Sequence, residues 1–195
     1  MILNNDATGI LAALTNKDIS ATDLMAQTLD RIDTVNPAVN AIVAMRPADE
    51  LMAEAKAADT TPPKGPLHGL PIAIKDLAET KSVRTTYGSP IFADNIPVAD
   101  SLMVARIRAA GAIIIGKTNK PEFGLGSHSF NPVYGTTCNP YDTSRRRWFQ
   151  RRRGGGAGHA DAGVGRWLGY DGITAQSGGV EQCLRVQTLL RDGAK

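Results

Sequence analysis

Cysteine is almost missing from this chain: Cys138 and Cys183 are the two thiols in 195 residues, with no CxxC spacing. That argues against a disulfide framework and points to a reduced, cytoplasmic setting. Histidine is as scarce. His68, His128 and His159 are scattered, so no metal site is expected. Long apolar runs are missing too, since nothing approaches the roughly 20 consecutive apolar residues that a membrane helix needs. The N-terminus, MILNNDATGILAALTNKD, has no basic region leading into an apolar stretch and does not read as a signal peptide. The residues present fit a soluble globular protein: 42% hydrophobic and 21% charged, in a length that supports one sizeable core or a core plus a tail.

The charge is distributed unevenly. The formal net charge of +3 divides into −3 over residues 1–144 and +6 over residues 145–195, and the second stretch holds 11 of the 20 glycines. Two compositions meet near Arg145. The first predicts an α/β pattern. Ser20 with Asp23 three residues on is a capping-box-like start for a helix carrying Met25, Leu29 and Ile32, closed by Asn36-Pro37. AIVAM (41–45) is a short strand, ADELMAEAKAADT a helix, TPPKGPLHG a connector, and LPIAIKD a buried strand ending in Lys75-Asp76. A helix starting near Asp100 carries Leu102, Met103, Ala105 and Ile107, then turns at Gly111 into the strand AIIIG. Strands alternating with helices imply a mixed or parallel sheet with helices on its faces. Residues 145–195 show no comparable periodicity beyond a weak helical run near the end, and their composition predicts disorder.

Three linked elements, GLPIAIKD (69–76), AGAIIIGKTNKPEFGLGS (110–127) and NPVYGTTCNPYD (131–142), resemble the amidase signature family. The similarity runs from about Ser20 to Arg145 and makes residues 1–144 the N-terminal part of an amidase domain. It implies an α/β/α fold around a mixed sheet, a small-molecule amide substrate, no cofactor and no metal. It also implies hydrolysis of a carboxamide through a Ser-Ser-Lys triad. In that pattern the lysine of IKD, Lys75, takes a proton from a bridging serine, which in turn deprotonates the nucleophile. The GLGS loop, Gly124, Gly126 and Ser127, lies beside the substrate channel; a plain turn is the alternative.

The family continues with a Gly-Gly-Ser-Ser-Gly-Gly loop and a later glycine-rich segment that supply the two serines, and neither appears here. TSRRRWFQRRRGGG (143–156) stands in the first place. Read one base later, codons compatible with Arg147 to Arg153 give Gly-Gly-Ser-Ser-Gly-Gly. The same shift turns codons for Trp167 to Ser177 into Gly-Ser-Asp-Met-Met-Gly-Ser-Leu-Arg-Asn-Pro. We therefore expect a single-base frameshift near 144–147, leaving residues 145–195 as an aberrant Arg/Gly-rich tail and this chain without its serines, truncated and inactive.

Other chemistry competes less well. Clustered arginines interleaved with Trp148 and Phe149 suit phosphates and bases, but the frameshift accounts for the break, the charge change and both missing motifs, which argues against nucleic acid as a partner. The A-type subunit of the glutaminyl-tRNA amidotransferase shares these motifs. GSHSFNPVYGTT lies closer to stand-alone amidases. Lys75 by itself could instead pair with Asp76 or a helix end. Thr118 and Asn119 are expected to cap the following helix rather than to orient the GLGS loop, and Cys138 to be a buried or loop thiol without a histidine base.

Overall fold

The structure is a computed structural model that describes residue 3, residues 5–126 and 128–140, and the backbone of 142–146. Helix α1 (Ala7–Asn16) and helix α2 (Ala21–Val39) lead into strand β1 (Ile42–Val43), helix α3 (Ala48–Thr60) and strand β2 (Pro71–Lys75). Helix α4 (Leu102–Ala109) and strand β3 (Ile113–Thr118) follow. Four short strands come last: β4 (Phe130–Asn131), β5 (Gly135–Thr136), β6 (Cys138–Asn139) and β7 (Asp142–Arg146). The strand β7 reaches two residues past the expected junction at 144, and the rest of the tail lies outside the described residues.

A three-stranded sheet in the order β1-β3-β2 is the centre of the fold. β2 and β3 run parallel and β1 runs antiparallel to β3, so the sheet is mixed, as the alternation of elements predicts. The apolar runs PIAI and AIII are buried on both faces, which suits strands covered by helices on either side. Side-chain alternation divides them. Ile72, Ile74 and Ile114 pack with Ile10 of α1 and with Val104 and Ile107 of α4. Ala73, Ile113 and Ile115 pack with Met25 and Ile32 of α2 and with Leu51 and Ala55 of α3. Each fully buried aliphatic side chain of this kind contributes about 1.5–3 kcal/mol by leaving water. Gly116 lets the β1–α3 turn cross close to β3: a Cβ there would lie 2.9 Å from the Met45 Cα.

Several local expectations are corrected. The second helix does not close at Asn36-Pro37 but runs to Val39, with Pro37 inside its last turns. Proline there forfeits one helical hydrogen bond, and the Asn36 side chain holds the exit by accepting from the Ala41 and Ile42 N–H groups at 2.9 and 2.8 Å. On α4 the buried positions are Val104 and Ile107, whereas Leu102 is exposed. The first helix, α1, was not foreseen. Asp6 caps it by accepting from the Gly9 N–H at 2.7 Å.

Candidate active site

The parallel pair β2/β3 brings its two C-terminal ends together. Lys75 is the register partner of Thr118, so the residues that follow each strand, Asp76 and Asn119-Lys120, emerge side by side. Asp76 is completely buried. Its carboxylate accepts from the Thr86 N–H at 3.0 Å, the Thr86 hydroxyl at 2.6 Å and the Gly88 N–H at 3.3 Å, which ties the 85–89 loop over the strand ends. The Lys120 ammonium donates to the Tyr87 carbonyl at 3.0 Å and holds the same loop from the other strand.

Lys75 is half-buried at the end of β2. Among the described residues its amine makes no hydrogen bond or ion pair, and Asp76 is engaged by Thr86 and Gly88 rather than by Lys75. Burial pushes the Lys75 pKa below the ordinary lysine value, because removal from water disfavours the charged form. Lys120 is pushed down to about 8 by burial first. Asp76 and Glu122 oppose that shift and Lys75 adds to it. The third lysine, Lys117, is completely buried and donates to the Ala78 carbonyl at 2.6 Å and the Thr80 hydroxyl at 2.7 Å.

Asn119 does not cap a helix. Pro121 occupies that position, and the chain continues into a single 3-10 turn, Glu122–Gly124. Asn119 is buried instead. Its Nδ2 donates to the Thr137 hydroxyl at 3.0 Å and the Gly135 carbonyl at 3.2 Å, while its Oδ1 accepts from the Lys120 N–H and Asn131 Nδ2. Asn131 also donates to the Lys120 carbonyl at 2.7 Å. These two asparagines lock the β4–β5 hairpin against the end of β3.

Gly124 and Gly126 both have positive φ, 76° and 132°, which glycine adopts without strain. Gly124 is buried, and a Cβ there would face Leu77 at 3.7 Å, so the GLGS loop borders the segment just past Lys75. Ser127 lies outside the described residues. Beside this loop Tyr87, Phe92 and Phe123 meet edge to face, with centroid distances of 5.1 and 6.2 Å, and form a partly exposed apolar rim. Two grooves elsewhere, about 790 Å³ beside Asp59 and His68 and about 870 Å³ beside Arg46 and Lys81, are not lined by Lys75. Among the described residues no cluster of three His, Cys, Asp or Glu could hold a metal, and no helix is long and apolar enough to cross a membrane. Cys138 is half-buried in β6.

The model of the amidase family matches residues 23–155. The chain belongs to the amidase family. It is 36% identical over 170 residues to the A-type subunit of the glutamyl-tRNA(Gln) amidotransferase of Oleidesulfovibrio alaskensis, an alignment that covers 86% of this chain and 34% of that protein. It is 36% identical over 169 residues to an acylamidase of Rhodococcus erythropolis, with 84% and 34% covered. The peptide amidase structure from Stenotrophomonas maltophilia superposes with a TM-score of 0.67 at 29% identity, over 74% of this chain and 31% of that one. This amidase chain spans about a third of the length of the curated relatives it matches.

Of the residues singled out from sequence, Lys75, Gly124 and Gly126 come to one end of the sheet. Lys120 and Asn131 were not singled out, and Asp76 was considered as an ion-pair partner of Lys75 rather than as the acceptor for Thr86 and Gly88. The signal for Lys120 was its position: a charged residue two places after the end of the buried strand IIIGKT, in KTNKP.

Proposed function

We propose that this amidase sequence encodes a serine hydrolase of linear carboxamides in which Lys75 is the general base. The observation that carries the reading is the half-buried Lys75 amine at the end of β2, which has no partner among the described residues and whose pKa is lowered by burial. A neutral amine accepts the proton of the bridging serine, and that serine accepts the proton of the nucleophile. The nucleophile oxygen attacks the amide carbonyl while glycine-loop N–H groups hold the oxyanion, the C–N bond breaks, and the amine or ammonia leaves with the proton. Water then releases the acid and regenerates the serine. The serines lie in the shifted frame after residue 144, so the chain as translated is inactive. The Gly124-Gly126-Ser127 loop borders the substrate channel in this reading, and the protein acts in the cytoplasm.

The test joins the gene to the enzyme. DNA sequenced across codons 140–155 should reveal both serine motifs one base out of frame; their absence sinks the frameshift. The frame-restored protein should release ammonia or amine from carboxamides, and Lys75→Ala should lower kcat about 10²–10⁴-fold with little change in KM. Full activity in that variant removes the lysine from the mechanism.

A second reading is favoured by the amidotransferase relatives: the sequence encodes the A-type component of a complex that amidates glutamyl-tRNA. It predicts that the frame-restored protein needs partner subunits and passes ammonia to a tRNA-bound carboxylate. Hydrolysis of simple amides by the isolated protein favours the first reading.

A further inference from the structure

The proposed mechanism needs the Lys75 amine held in place, and the turn that follows Lys75 is held by a buried lysine of the neighbouring strand. Strand β2 ends at Lys75 and the chain turns at once, with the Ala78 N–H donating to the Lys75 carbonyl at 3.1 Å. Across the sheet Lys117 is the register partner of Ile74, the residue before Lys75. Its side chain is completely buried, and its ammonium donates to the Ala78 carbonyl at 2.6 Å and the Thr80 hydroxyl at 2.7 Å. Thr80 is buried with it, and that hydroxyl donates in turn to the Ala78 carbonyl at 3.2 Å. Both backbone groups of Ala78 are therefore engaged, the N–H by Lys75 and the carbonyl by Lys117 with Thr80. The far side of the turn is fixed separately: the Thr80 carbonyl accepts from the Val83 N–H at 3.0 Å, and the Glu79 carbonyl from the Ser101 N–H at 2.9 Å.

We propose that Lys117 is a positioning residue for the lysine base: its buried ammonium clamps the Ala78–Thr80 turn and, through the Ala78 N–H, sets the backbone from which the Lys75 side chain projects. The proposal rests on the reading of Lys75 as the base. Withdrawing an ammonium from water is costly unless hydrogen bonds replace the lost hydration. An apolar side chain of similar length would fill the same space without that cost. What it would lack is direction. Charge-assisted N–H groups hold a carbonyl and a hydroxyl at a defined distance and angle, whereas apolar contacts leave a turn free to slide. Lys75 has no partner among the described residues that could orient its amine, so its placement comes from its backbone. A base must lie within hydrogen-bond reach of the proton it takes, and a displacement of about 1 Å can cost about 10²-fold in rate.

Amide hydrogen exchange of the full 195-residue chain, read by NMR, tests the clamp. In Lys117→Met, which keeps the length and removes the donors, the Ala78 N–H should exchange about 10-fold faster or more. The Ile113 N–H, bonded to the Leu70 carbonyl at 2.9 Å, should keep its parent rate. Thr80→Val, which removes the hydroxyl at constant shape, should act in the same direction, and Thr80→Ser should retain most of the protection. An unmoved Ala78 rate in Lys117→Met overturns the proposal. So does an equal acceleration at Ile113, which marks a general loosening of the sheet. If Lys117→Met does not fold, Thr80→Val decides by the same readings. In the frame-restored protein Lys117→Met should lower kcat about 10–10²-fold with little change in KM, and should cost nothing further in a Lys75→Ala background. An equal loss in both backgrounds overturns the link to Lys75. Full activity in Lys75→Ala removes the base and leaves the exchange result standing, so the two failures are distinct.

Discussion

A lysine amine withdrawn from water is driven toward its neutral form, and Lys120 carries that effect into stability. Its pKa falls from 10.5 to about 8, with burial the first cause. In the unfolded chain the amine keeps its proton until the pH nears 10.5, whereas in the folded chain it loses it near 8. Between these values the unfolded state binds more protons, so stability rises with pH across that window, and below it the folded protein carries the whole penalty. Denaturant unfolding should therefore show the parent gaining stability relative to Lys120→Met from pH 8 to pH 10. A difference that stays flat with pH would mean that the amine titrates at the same pH in the folded and the unfolded chain. At this scale Lys75 was legible, because a lysine closing a buried strand has few places to go. Asn119 was not. Its helix-capping chemistry was plausible locally, but its amide is spent on Thr137 and Gly135, which a short-range pattern cannot reveal.

Helix α2 shows the same division among the elements. Ser20 accepts from the Asp23 N–H at 2.9 Å, the capping contact that the Ser20–Asp23 spacing predicts. A second cap comes from the far end of α3: Asp59 accepts from the Ala21 N–H at 2.6 Å, the Thr22 N–H at 3.0 Å and the Thr22 hydroxyl at 2.5 Å. A carboxylate also complements the positive helix start. Asp59→Ala should cost about 0.5–2 kcal/mol, at least as much as Ser20→Ala, by denaturant midpoint. A loss well below that of Ser20→Ala would show that the tertiary cap adds nothing. Helix α3 matches its expected span, Ala48–Thr60, because Pro47 precedes it and an acidic first turn favours its start. The second helix outruns its expected end, since a proline near a C-terminus costs little once an asparagine side chain satisfies the exit.

Across the whole molecule the balance of burial is uneven. The sheet is covered on both faces, but Ile91, Val98, Leu102 and Leu125 are 82%, 90%, 68% and 68% exposed. Phe92 and Phe123 meet edge to face and are themselves partly exposed, and Ile91 and Leu125 lie one and two residues from them along the chain. Exposed surfaces of this kind favour association. The chain should self-associate at micromolar concentration and bind a hydrophobic dye, and Ile91→Ser with Leu125→Ser should weaken both in light scattering and fluorescence. A monomer that binds no dye would contradict that exposure.

The apolar strands PIAI and AIII, with helices between them, were enough to specify a buried mixed sheet in the amidase pattern, with Lys75 withdrawn from water at the end of one strand. Hydrophobic periodicity is a local property, carried by neighbours a few residues apart. Which groups share that strand end was decided by the folded chain. Asp59 reaches a helix start 38 residues away, and Lys120 meets Tyr87 over 33. Hydrogen bonds and charge repulsion act through space at a few ångströms, so the partners of Asp76, Asn119 and Lys120 came into view once β2 and β3 lay side by side.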